Sequence, residues 1–397
     1  MPTPSFLNGV KANLEYWQVY TRDADPGYKA LDADRHNLYR AVQAGLSFPD
    51  TQPAATQLAL ELFSYIELGS YWREWMMVLD RALALESHPA PVRCRLLNQS
   101  GFLHMHTRQF SEALRAHEAA KEMAAQGEML DELAEACFGL CQVYYFKHAY
   151  AEAESYGQRA LETYVQTGSL KKQGNVHNIL GMLAHVQGKY ALAEAHLEKT
   201  LELHAQTNSP RRAHYLNNLA LTYQAQEKYE HARQCFLEAL ALVEDQSQPW
   251  IQNNTLNSLG TLYFAMDRYR DAETTFLAID AAFLHRIGNL VALAQRANNL
   301  GQVYLKQKRL EEAERALRHA LTLWQQTEDR INLANTLGSL AEVLVLQENF
   351  SQALLSYEEA IPLFSPFLDN AWARGRQSRL EAQKASLVTR LQAQHSG

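Results

Sequence analysis

The sequence predicts an all-α solenoid of antiparallel helix pairs, and three observations predict it. An alanine recurs at Ala113, Ala153, Ala193, Ala232, Ala272, Ala313 and Ala353, in steps of 39 to 41 residues. Three residues before each stands an aromatic or a leucine: Phe110, Tyr150, Tyr190, Tyr229, Tyr269, Leu310 and Phe350. Between these marks the apolar residues fall at three-four spacing, and only 11 prolines and 18 glycines interrupt 397 residues. A period of this length is the sign of stacked repeats, which grow in one dimension and present a long surface. The chain length agrees, because it exceeds what one ordinary core accommodates.

Each period reads as two helices. In the fourth, Ala213 to Gln226 is the first helix, Lys228 and Tyr229 form the turn, and Glu230 to Val243 is the second. Leu216, Leu219, Ala220 and Tyr223 share one face of the first helix; Ala232, Phe236 and Ala239 share one face of the second. Ala220 and Ala232 are small because two helices cross closely there, where a larger side chain would force them apart.

These positions resemble the tetratricopeptide repeat, whose pattern runs aromatic–x2–Leu–Gly–x2–Tyr and then Tyr–x2–Ala–x3–Phe–x2–Ala. Leu180-Gly181, Leu259-Gly260 and Leu300-Gly301 match, followed by Tyr263 and Tyr304; Tyr144 and Tyr223 fill the same tyrosine position in two other repeats. Phe236 with Ala239, and Leu317 with Ala320, match the second helix. The resemblance implies a right-handed superhelix with terminal capping helices. The period near 40 departs from the family's usual 34 and is similar to the kinesin-light-chain type, implying longer helices; spacers such as "TGSLKKQG" replace the family's terminal proline.

The expected organisation is an N-terminal helical cap at 1–53, a degenerate first helix pair at 54–93, seven repeats at 94–368, and a capping helix and tail at 369–397. The degenerate pair keeps its turn aromatic, Tyr71, but has Glu74 where the alanine belongs. In the cap, "LDADRHNLYRAVQA" (Leu31 to Ala44) resembles the "L-x-x-E-x-x-N-L-x-x-A-L" helix that opens the sensor solenoid of bacterial STAND-type transcription regulators. Leu31, Asp34, Asn37, Leu38 and Ala41 occupy its positions, with Asp34 in place of glutamate. The chain has no G-x-x-x-x-G-K-[ST] phosphate loop, so the resemblance implies a relative of the sensor and not of the ATPase.

Composition narrows the function classes. A net charge of −7 with mixed signs argues against direct nucleic-acid binding. No apolar run approaches the ~20 residues of a membrane span, and Met1 to Tyr20 lacks signal-peptide order, so a cytoplasmic location is expected. No cofactor or metal is expected, because no H-E-x-x-H or paired His/Cys spacing occurs. Cys137 and Cys141 share a helix face, but at core positions where small apolar residues belong. No G-x-S-x-G elbow exists, and no catalytic residue is proposed.

The stronger signal is a row of amides. Two residues before each Leu-Gly pair or its equivalent stand Asn98, Phe138, Asn178, Asn217, Asn257, Asn298 and Gly338. Asparagine disfavours helices, since its side chain competes for backbone hydrogen bonds. Its amide supplies a donor and an acceptor, matching a peptide main chain. In the family this position faces the concave groove, and peptide-binding members use asparagines there. The expected groove set also includes Asn175, His214 and Asn254 one turn before, with Gln224, Phe264 and Gln302 further along. Arg95 is the obvious cation in that neighbourhood. The competing expectation is that these amides bond helix to helix, as Asn218 and Asn299 one residue on are expected to do. The functional expectation is therefore a non-enzymatic module whose groove binds a peptide or protein segment in signalling or transcription regulation. The alternative is a scaffold working through its convex face and ends. Trp72, Trp75 and Trp372 mark the ends as sites where homo-oligomers could form.

Overall fold

A computed structural model describes residues 3–23, 31–69, 71–205, 211–246, 249–368 and 371–396. Its described residues are helical with short turns, an all-α repeat fold. The chain divides into two compact units, Met1–Asn218 and Leu219–Gly397.

The first unit opens with α1 (Pro4–Asp23), α2 (Arg35–Gly45), α3 (Gln52–Glu61), α4 (Phe63–Gly69) and α5 (Trp72–Leu83). They share one core in which Leu14, Leu38, Val42, Leu58, Ile66, Trp75 and Leu79 are shut off from solvent. Residues on both sides of position 53 contribute to it, so the cap and the degenerate pair are packed as one body. Trp75 lies inside this core with no exposed surface, which corrects the expectation of an exposed contact there. Tyr71 ends the preceding turn; its hydroxyl donates to Asp32 and its ring carries the Arg35 guanidinium at 4.6 Å. Three pairs follow: α6 (Ala90–His106) with α7 (Phe110–Gln126), α8 (Leu130–Phe146) with α9 (Tyr150–Thr167), and α10 (Leu170–Val186) with α11 (Tyr190–Ala205). The helix α12 (Arg212–Ala225) contains the unit boundary.

In the second unit α13 (Tyr229–Gln246) precedes α14 (Pro249–Ala265), whose partner is broken into α15 (Tyr269–Leu277) and α16 (Ala281–Arg286). The break is capped: Asp280 Oδ1 accepts from Phe283 N at 2.9 Å, and Asp280 N donates to the buried Asn253 Oδ1 at 2.8 Å. Then come α17 (Leu290–Lys306) with α18 (Leu310–Thr327), α19 (Arg330–Leu346) with α20 (Phe350–Leu363), and the closing α21 (Ala371–Ser396). Ala373, Leu380 and Leu387 of α21 bury against the last pair, while Trp372 remains half exposed.

All seven register alanines are fully buried. The crossing they mark is tight: a Cβ on Gly181 would lie 2.7 Å from Leu197, and one on Gly301 2.6 Å from Leu317. Sizes compensate across it. Where the first helix carries Cys141, the second carries Gly157, whose added Cβ would stand 3.1 Å from the sulfur. Where it carries Gly101, His117 fills the space.

In the seven repeats after α5, the turn from first to second helix has one residue in the left-handed region: Arg108, His148, Gly188, Glu227, Asp267, Lys308 and Glu348. The next amide then reaches back across the turn, as Arg309 N does to Tyr304 O at 2.9 Å. This Schellman closure satisfies carbonyls that the helix end would otherwise leave open. In three turns the following base also covers the repeat tyrosine: Lys228 over Tyr223, Arg268 over Tyr263 and Arg309 over Tyr304, at 4.4 to 5.5 Å.

Candidate functional site

The first helix of each pair carries the amide row, and the structure shows where each amide points its bonds. Tyr215 OH donates to Asn175 Oδ1 at 2.8 Å, and Asn218 Nδ2 donates to Asn178 Oδ1 at 2.8 Å. In the second unit Asn299 Nδ2 donates to Asn257 Oδ1 at 3.2 Å, and Thr336 Oγ1 to Asn298 Oδ1 at 3.0 Å. In two of these bonds, Asn218 to Asn178 and Asn299 to Asn257, the rows at adjacent positions, one expected for ligand and one for structure, are bonded to each other across neighbouring repeats. In each of these pairs the later repeat donates and the earlier carbonyl accepts.

That polarity leaves the other end of the amide available. Asn175, Asn178 and Asn257 each have their carbonyl engaged, and their Nδ2 donors have no protein partner among the described residues. All three are partly exposed. The inter-repeat bond therefore engages the carbonyl oxygen, and the two N–H groups of each amide are left for another acceptor. Asn298 differs, for its Nδ2 also reaches Asn299 Oδ1 at 3.4 Å. Asn98 differs more: its Nδ2 donates to Glu132 O at 3.3 Å, and its Oδ1 faces His117 Nδ1 at 3.1 Å. Asn98 and Asn217 are both buried, at 5% and 7% exposure, which withdraws most of their surface from a ligand.

Among the other expected residues, Asn254 and His214 are exposed, and Gln224, Gln302 and Phe264 are half-buried. Phe264 packs edge-on to Tyr269 at 5.6 Å. Arg95 is exposed on α6. Where the row has Gly338, Leu380 of α21 fills the space an amide would need, since a Cβ there would meet it at 2.7 Å. Beside it Arg376 donates to Asn335 Oδ1 at 3.0 Å and to Glu342 Oε1 at 3.1 Å. The closing helix thus occupies the last repeat's polar positions itself.

Groups with chemical potential elsewhere are spent on packing. Burial pushes the Cys137 thiol up and the Cys141 thiol up to about 12, the opposite of an activated nucleophile. His177 and His196 share one hydrogen bond at 2.9 Å between their Nδ1 atoms, and burial lowers both. A shallow depression around Asp267, Tyr269 and Glu273 is a solvated ion network, with Arg309 bridging Glu273 and Glu312.

Sequence reading missed a charged contact within the first unit. Arg211, directly ahead of α12, pairs with Glu67 of α4, and Lys172 pairs with Glu135 at 3.2 Å. Partners 144 positions apart give no local signal in a sequence.

Residues 173–245 and 291–365 match the tetratricopeptide repeat family. No curated protein matches the chain. Among solved structures, one similar fold is a signal transduction ATPase with numerous domains (STAND protein) with a tetratricopeptide repeat sensor, from Pyrococcus horikoshii. It is 15% identical with a TM-score of 0.66, over 87% of this chain and 55% of that one. This chain therefore spans just over half of that protein. The apo form of the quorum sensor NprR from B. thuringiensis is 16% identical with a TM-score of 0.58, over 90% and 99% of the two chains. A Rap protein complexed with competence and sporulation factor is 16% identical with a TM-score of 0.55, over 91% and 99%. At these identities the likeness is one of fold.

Proposed function

From the premise that this chain carries tetratricopeptide repeats, we propose that it is a non-enzymatic binding module whose first-helix faces hold an extended peptide or protein segment. The observation that carries the reading is the bonding of Asn175, Asn178 and Asn257. Each is partly exposed, has its carbonyl held by the following repeat, and has two amide donors with no protein partner among the described residues. Fixed donors suit a partner's main-chain carbonyls whatever its side chains, and holding them in place beforehand lowers the ordering cost of binding. Among the similar folds are a quorum sensor and a Rap protein in complex with a factor, which supports a role in signalling or transcription regulation. A scaffold role through the second helices is the second reading; exposed Leu192, Leu237 and Leu355 favour it.

The test is affinity capture from the source cell with peptide and protein identification by mass spectrometry, repeated with Asn175→Ala plus Asn178→Ala. The expected result is loss of captured peptide with thermal unfolding lowered only slightly, each lost hydrogen bond being worth about 1 kcal/mol. Unchanged capture by the folded double variant sinks the reading and leaves the scaffold.

A further inference from the structure

Packing does not exhaust the His177–His196 pair, which interrupts the repeat pattern. His177 stands one turn before the crossing glycine Gly181 on α10, and His196 one turn after the register alanine Ala193 on α11. At the first of these positions the other repeats carry leucine, alanine or cysteine, as in Leu216, Leu256 and Leu337; at the second, none carries histidine. The two Nδ1 atoms are 2.9 Å apart, with ring centroids at 5.1 Å and planes tilted by 42°. One proton sits between them, so one ring is protonated on Nδ1 and the other on Nε2. Both rings are half-buried, and neither Nε2 has a protein partner among the described residues. Burial, then His196 and Lys199, lowers His177 to about 4, and burial lowers His196 against the attraction of Glu154 on α9. Both rings are therefore uncharged at neutral pH, the form in which imidazole binds metals. The helices hold them in place, since a Cβ on Gly181 would lie 2.7 Å from Leu197, the residue after His196.

We propose that His177 and His196 form a two-imidazole site for a divalent transition-metal ion of the nitrogen-preferring class, Cu²⁺, Ni²⁺ or Zn²⁺, in which the ion takes the place of the shared proton. Metal–imidazole bonds of about 2.0–2.1 Å put neighbouring ligand nitrogens roughly 2.9 Å apart at a right angle and ~3.3 Å apart in a tetrahedron. The observed separation falls at the right-angle value. The ion enters by a turn of each ring that brings both Nδ1 lone pairs onto it. The Nδ1 proton passes through solvent to Nε2 of the same ring, so both imidazoles stay neutral and the site gains only the charge of the ion. Glu154 favours that charge; Lys199, ion-paired with Glu202 at 2.9 Å, opposes it. No set of three His, Cys, Asp or Glu residues forms a metal site among the described residues, so the remaining coordination positions go to water or to a donor atom of a bound partner. The two ligands are 19 positions apart on different helices, a spacing that no local metal motif contains.

The full-length protein, stripped with EDTA and desalted, is given sub-stoichiometric Cu²⁺ and examined by pulsed EPR, where the modulation from remote imidazole nitrogens counts the coordinated rings. The wild type is expected to show two imidazoles on each Cu²⁺. His177→Gln and His196→Gln keep a side chain able to hydrogen bond. Each is expected to lose the two-imidazole signal and to bind Cu²⁺ at least about tenfold more weakly in competition with a chromophoric chelator. Thermal melts in EDTA report whether the variants fold. Equal affinity and equal spectra in the wild type and the folded variants overturn the assignment, because the copper then lies elsewhere. A one-imidazole spectrum of the wild type overturns it without any variant. If a variant does not fold, that wild-type count decides: two imidazoles sustain the site and one removes it.

Discussion

Acidification should weaken the first unit through His117, and the size of the effect follows from where the ring sits. His117 is 2% exposed and lies against Gly101 and Gly139; a Cβ on either would come within 2.6 Å of the ring. Asn98 Nδ2 donates to Glu132 O, which turns its Oδ1 toward His117 and makes Nδ1 the protonated nitrogen. Nε2 is buried with no partner among the described residues, so an added proton there has nothing to bond. Burial accordingly lowers the pKa from 6.5 to about 4. The unfolded chain takes up this proton first. The contribution of His117 is therefore intact above about pH 6.5 and declines as the pH falls toward 4. Between pH 7 and pH 5 the loss is about 2 kcal/mol. The assay is urea unfolding at those two values for wild type and for His117→Gln, whose shorter amide can still donate to Asn98 but does not titrate. Burial also lowers His106, His177, His196 and His204, so the difference between the two proteins isolates His117. NMR of ring-labelled histidine supplies a direct check. A His117 signal titrating near 6.5, or parallel losses in the two proteins, would refute the reasoning.

The turns offer a second test: Lys308→Gly relieves a non-glycine residue at φ 62° and should stabilise the second unit by about 0.5–1 kcal/mol, read from the urea midpoint. Arg376→Ala leaves Asn335 and Glu342 without their donor and should cost about 1–3 kcal/mol, seen as faster amide exchange across α19 and α21. Cys141, with its thiol held up near 12, should resist a thiol reagent in the native protein at pH 8 and react on unfolding; rapid native labelling would contradict its packing role. Ala232→Leu overpacks a fully buried crossing and should lower stability by about 1–3 kcal/mol in thermal unfolding.

The repeat architecture was legible because the alanine register is a steric requirement, repeated wherever two helices cross. The same requirement made Cys141 readable as a packing residue, although its compensating partner Gly157 became visible only in three dimensions. The left-handed turns were not legible. Only Gly188 among their seven residues is a glycine, so composition does not mark the conformation. The break between α15 and α16 was missed because Asp280, which caps α16 at Phe283 N, is held in place by its own backbone N–H donating to Asn253 on another helix. For the candidate site, spacing located the asparagines but not their bonds. Asn178 and Asn218 are forty residues apart and belong to different rows, and only stacking brings them within 2.8 Å. Arg211 and Glu67 share no period at all.

The consistent direction of the amide bonds has a consequence for how such an array can end. In the second unit each later side chain gives a hydrogen to an earlier oxygen, from Asn299 to Asn257, from Thr336 to Asn298, and finally from Arg376 to Asn335. In each repeat the giving and receiving groups are neighbours, Asn299 beside Asn298 and Thr336 beside Asn335, so the series passes on through a pair of residues. A guanidinium gives only. Arg376 takes the donor's place in this series, and its neighbour Gly375 carries no side-chain oxygen where the earlier repeats have Asn298 and Asn335, so the pattern of paired donor and acceptor stops at α21.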